Sequence, residues 1–150
     1  MPGRNTHKVA GALAGGGLAL VKSTGQPVAH QITETIGGAV AGYGFGRLPD
    51  IFEPPRDPNH RSFGHSATTE LILSAVGVRE LDSWQSFLRT HADRQAVLAM
   101  RAQTTTSELW HLFLEFLCRL LAGAVAGAFG GYGSHLALDA LTAQSLPLIA

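Results

Sequence analysis

Cysteine is nearly absent. Cys118 stands alone in 150 residues, so no internal disulfide can form and a thiolate-rich zinc cage is excluded. Any metal has to rest on histidine and carboxylate. Charge is scarce as well. Asp, Glu, Lys and Arg make up 15% of the chain, against about 25% in ordinary soluble domains. Neither sign is in excess, with eleven basic and eleven acidic residues. That balance lacks the basic face a nucleic-acid binder needs, so no nucleic-acid partner is expected. A run of the roughly 20 apolar residues that a membrane span requires is also missing. Val9 to Val21 falls short, and Leu120 to Gly133 lengthens backwards only by taking in Arg119, Glu115 and His111. By hydropathy the chain is expected to form a bundle that is water-soluble or lies at a membrane surface. Arg4 and Lys8 before an apolar run imitate a signal peptide, but Pro2-Gly3 and the polar Asn5-Thr6-His7 point to a retained helix start.

What the chain does have is glycine, 18 residues of it, and 45% apolar residues. A length of 150 suits one domain, 1–150, with one hydrophobic core. Asn5 or Thr6 can cap a first helix through Val9, Leu13, Leu18 and Val21. Its middle is small: Gly11, Ala12, Ala14, Gly15, Gly16 and Gly17. Glycine in a helix costs about 1 kcal/mol against alanine, and becomes useful where another helix packs very close. Lys22 to Pro27 reads as a turn. A second glycine-rich helix is expected from Val28 to about Gly44. Arg47 to Gly64, with Pro49, Pro54, Pro55 and Pro58, reads as a long functional loop. Further helices are predicted over 66–76, 81–102 and 109–129. Gln103 to Glu108 supplies a polar break and a cap before the third of these. A break at Gly130-Gly131-Tyr132-Gly133 is followed by a short last helix carrying Ser134 to Asp139. No segment reads as a convincing strand. The expected fold is all-α, a compact bundle of about five or six helices with close glycine packing.

The chemistry-bearing residues are histidines and aspartates. His135 and Asp139 stand four apart, so both project from one helix face. Alone they read as a surface pair. Their neighbours are apolar (Leu136, Ala137, Leu138, Leu141), and an unpaired carboxylate there is expensive. A metal would offset that cost. His7 opens the first helix and otherwise reads as a polar helix start. Asp50 follows Leu48-Pro49 and otherwise reads as a turn aspartate. In His60-Arg61-Ser62-Phe63-Gly64-His65-Ser66, Ser66 can cap a helix with His65 at its mouth, and Arg61 can pair with an anion. His30 and His91 read as helix surface, and His111 as a packing residue.

The order of these features along the chain is more specific than any one of them. N-terminal His, Leu-Pro-Asp, His-Arg…His-Ser and Ser-His-x-x-x-Asp together resemble the membrane-bound metal-dependent hydrolases of the YdjM type. The resemblance runs from Thr6-His7 to Thr142. It implies an all-helical fold distantly related to the zinc-dependent phospholipase C and P1 nuclease group. It also implies metal ligands at His7, Asp50, His65, His135 and Asp139, with His60 as a further candidate. Too few such residues are present for a three-zinc site, which implies one or two metals.

The resulting expectation is metal-assisted hydrolysis of a phosphoester, small or lipid-derived. Imidazole and carboxylate suit zinc, and also manganese or iron. Asp50 or Asp139 would orient a water or act as general base, and Arg61 would offset charge developing on the phosphoryl group. The expected location is a bacterial inner membrane or its surface, or the cytoplasm for a soluble bundle. A different class of reading is a homo-oligomeric or assembly subunit, its glycine faces packed on other chains and its His/Asp cluster structural. A third is a transporter or channel, with His135 and Asp139 inside the bundle as an ion site.

Overall fold

The computed structural model describes residues 4–52 and 67–141. They are helical, with no strand among the described residues. The elements are α1 (Arg4–Lys22), α2 (Val28–Phe45), α3 (Leu48–Phe52), α4 (Ala67–Met100) and α5 (Thr105–Ala140). Four are long and α3 is a single short turn of helix.

Glycine decides the packing. A Cβ on Gly15 would lie 2.5 Å from the Gly38 carbonyl and 3.0 Å from Gly127 Cα. A Cβ on Gly131 would lie 2.5 Å from the Gly42 carbonyl, and one on Gly130 2.8 Å from that of Ala14. These contacts are backbone against backbone, so α1, α2 and α5 meet one another pairwise at the closest approach helices allow. The pairing order makes α1 antiparallel to α2, and α2 parallel to α5. The turn between α1 and α2 closes through Gly25, whose φ of 90° suits glycine. Ser23 is fully buried there, and its hydroxyl donates to the Leu20 carbonyl. α4 packs along α5 on the other side. Gln85 on α4 donates to the Ala122 carbonyl, and His111 on α5 meets Gln95, which makes the pair antiparallel.

Several expected boundaries move. The breaks predicted near residues 77–80 and 130–133 are absent, and α4 and α5 run through them. Gly77 packs against the Phe129 ring, while Gly130 and Gly131 lie against α1 and α2. Tertiary contact outweighs the helix penalty of glycine at these positions. The segment after Arg47, expected as loop, begins with α3. Pro49 is its second residue, where a missing N–H removes no helical hydrogen bond. Asn5 and Thr6, expected as caps, fall inside the first turn of α1. The predicted cap of α5 is present: Thr104 accepts from the Ser107 amide at 3.2 Å, and Glu108 stands in the first turn.

The bundle is small inside and bulky outside. Among the described residues the buried apolar side chains are Ala19, Leu81, Ala92, Ala99, Ala122, Ala126 and Leu136. Leu13, Val21, Val28, Ile32, Val40, Leu109 and Phe113 are exposed. Among the described residues one helix, α5, is long and apolar enough to cross a membrane, and 28% of its most apolar 18-residue window is buried. The sequence expectation differs: Leu120 to Gly133 reads as too short because Arg119, Glu115 and His111 precede it, whereas the window tolerates these residues within one continuous helix.

Candidate metal centre

Three helix ends converge at one end of the bundle: the start of α1, the end of α2 and the end of α5. His7 comes from the first of these, His135 and Asp139 from the last. All three are buried, at 4%, 0% and 3% exposure. One ligand atom from each lies within 4.8 Å of the others. The glycine contacts described above bring α1 and α5 close enough for the three residues to meet.

The separations within the group are longer than direct hydrogen bonds. His7 Nε2 stands 3.8 Å from Asp139 Oδ1, and His135 Nε2 stands 3.4 Å from Asp139 Oδ2. Good N–H···O bonds measure about 2.7–3.2 Å. Tetrahedral ligands at about 2.05 Å from zinc stand about 3.3 Å from one another; the His135–Asp139 separation is near that and the His7–Asp139 separation is wider. His135 Nδ1 lies 2.9 Å from the Gly46 carbonyl oxygen. A carbonyl only accepts, so Nδ1 carries the proton. Nε2 is then the ring nitrogen turned towards Asp139. The imidazoles of His7 and His135 stack, with centroids 4.1 Å apart and planes at 29°. The two rings and the carboxylate thus form one buried group of potential metal ligands. The donor set N, N, O is the kind that zinc, manganese and iron accept.

Helix electrostatics agree. Asp139 sits in the last turn of α5, and the Gly46 carbonyl closes α2. Both are the negative ends of helix dipoles. His7 lies in the first turn of α1, at the positive end of that helix.

Of the other sequence candidates, Asp50 has its backbone in α3, directly after α2, and its side chain is not among the described ones. His60, Arg61 and His65 lie outside the described residues. His30 is partly buried with Nε2 3.2 Å from Glu115 Oε1. His91 is exposed, its ring 4.2 Å from that of Phe87. His111 hydrogen-bonds Gln95 at 2.7 Å, rather than packing against apolar neighbours alone.

Sequence reasoning did not single out a second polar cluster, at the opposite end of the three-helix core. Glu34, fully buried on α2, receives Arg89 through Nε at 3.0 Å and Nη2 at 2.6 Å. Gln26 donates to Glu34 and accepts from Arg119, which also binds Asp93. The available signal was that Glu34 is the single charged residue in α2.

The chain matches no family model, no curated protein and no solved structure.

Proposed function

We propose that the protein is a membrane-associated, divalent-metal-dependent hydrolase whose metal is held by His7, His135 and Asp139. The observation that carries this is the convergence of two imidazole Nε2 atoms on the two oxygens of one buried carboxylate. Zinc is the first candidate, with manganese and iron also suited. A divalent cation held there supplies Lewis acidity and lowers the pKa of a coordinated water towards about 7. The chain's own part is to bind and orient: the Gly46 carbonyl fixes the His135 tautomer, and the buried carboxylate supplies the counter-charge. A phosphoester is the proposed substrate class, with Asp50, His60, Arg61 and His65 as further proposed contributors. The relation to the phospholipase C and P1 nuclease group is likewise proposed, supported by the all-helical class and by an N-terminal histidine meeting a His-x-x-x-Asp helix.

A second reading rests on the burial of all three ligands. A structural metal site is closed, whereas a catalytic one keeps a position open. The same protein preparation separates the two. Purified protein is stripped with chelator, reloaded with zinc, manganese or iron(II), and analysed for bound metal. It is then assayed on bis-(p-nitrophenyl) phosphate and p-nitrophenyl phosphate. Bound metal with metal-dependent turnover supports the hydrolase. Bound metal with a raised melting temperature and no turnover supports the structural site. Absence of binding by all three metals ends both.

A further inference from the structure

Gly46 lies between two of the three ligand residues and touches both. Its carbonyl oxygen receives the His135 Nδ1–H at 2.9 Å. A Cβ built on it would stand 2.6 Å from the backbone carbonyl oxygen of His7 and 3.1 Å from Gly11 Cα. Its φ and ψ, −62° and −4°, are open to any residue. Glycine is therefore required at 46 for space and not for backbone conformation. The atom in the way belongs to the main chain of α1, so no rotamer change could relieve the clash. An alanine would have to push the end of α2 away from the start of α1. That shift would move the carbonyl off His135 and displace the turn carrying His7.

We infer that Gly46 is a positioning residue for the metal centre: it lets the C-terminal carbonyl of α2 reach His135 and hold its ring with Nε2 towards Asp139. The inference rests on the metal reading above. The physical reasons are two. A proton held on Nδ1 leaves only Nε2 to ligate, and a hydrogen bond from the far nitrogen to a carbonyl raises ligand basicity. The carbonyl also sits at the negative end of the α2 dipole, which strengthens the same bond.

The test compares Co²⁺ binding by wild type, Gly46→Ala and Gly123→Ala, followed by the visible absorption of the bound ion. Gly123 is twelve residues from His135 along α5, about 18 Å, and its Cβ would overlap the Glu34 carbonyl oxygen. It reproduces the packing insult without touching the site. Gly46→Ala should weaken Co²⁺ binding about 10–100-fold, the usual range for loss of such a partner, and alter the absorption bands. Gly123→Ala should lower the melting temperature yet bind Co²⁺ like wild type. Unchanged binding by Gly46→Ala, or equal weakening by both variants, would overturn the inference. Wild type that binds no Co²⁺, Zn²⁺, Mn²⁺ or Fe²⁺ would overturn the metal reading itself. Should Gly46→Ala not fold, nitrogen-15 imidazole spectra of Zn²⁺-loaded wild type decide: His135 must show Nδ1–H with Nε2 ligated, and the opposite tautomer would overturn the inference.

Discussion

Asp139 is the residue on which the two histidines converge, and its substitution separates ligation from folding. In Asp139→Ala the pocket loses its only carboxylate among the three converging groups. Metal affinity should fall by more than about 100-fold, beyond the range seen for outer-shell partners, and turnover with it. Helix content should persist, because the glycine contacts of α1, α2 and α5 are untouched. A sharp loss of melting temperature, in a protein whose wild type binds metal without turnover, would mark the site as structural, since metal binding energy is then folding energy. Arg89 tests the other buried charge. In Arg89→Met, Glu34 stays fully buried with its bidentate partner gone. Removing one member of a buried pair costs about 3–5 kcal/mol. Because Arg89 keeps some exposure, the lower end applies, roughly 3 kcal/mol by denaturant melts, and Glu34→Leu with Arg89→Met should recover most of it. The i,i+4 pair His135/Asp139 was legible because helical spacing alone places both on one face. His7 was legible only through its order relative to the other motifs. Glu34 with Arg89 was not, because its partner lies 55 residues away and nothing local announces it.

At the scale of helices, the sequence conveyed that glycine serves close packing but not which glycines do so. Gly15 and Gly17 are two apart on α1 and face opposite ways. Gly15 lies against Gly38, Gly42 and Gly127, whereas a Cβ on Gly17 would meet nothing within 4 Å. Gly17→Ala should therefore stabilise the protein by about 0.5–1 kcal/mol through helix propensity alone. Gly15→Ala should destabilise it and split the α1–α2–α5 contact. Thermal melts of the two variants side by side should move in opposite directions, and a shared sign would mean that the three-helix packing is not as described. The same blindness explains the helix ends. Gly130-Gly131-Tyr132-Gly133 has the composition of a break, and only the backbones of α1 and α2 lying against it make helix the better state. At Leu48–Phe52, prolines pulled the reading towards loop, although Pro49 occupies a helix position that tolerates proline.

At the scale of the whole molecule, the described side chains are small inside and bulky outside. Among them alanine and glycine, with Leu81 and Leu136, fill the interior, and many valines, leucines, isoleucines and aromatics are exposed. Contiguous exposed apolar surface of this kind marks something that covers it. Because α1, α2 and α5 pack pairwise, the outward stripes of α1 (Val9, Leu13, Val21) and α2 (Val28, Ile32, Ile36, Val40) face different sides. A single partner copy would cover one side only, whereas the proposed membrane association predicts lipid on both. The polar surface is concentrated on α4, where Arg79, Glu80, Asp82, Asp93 and Arg94 are exposed. On a Cys118→Ala background, single cysteines at Leu13, Val40 and Ser83 read this out. In membrane vesicles, a water-soluble maleimide should label Ser83→Cys and spare Leu13→Cys and Val40→Cys until the membrane is dissolved and the protein denatured. The protein should also stay with the membrane through an alkaline carbonate wash. Leu13→Cys labelling as fast as Ser83→Cys would place α1 in water. Disulfide-linked dimers from Leu13→Cys, with Val40→Cys freely labelled, would show that a second copy covers α1 and that lipid does not cover α2.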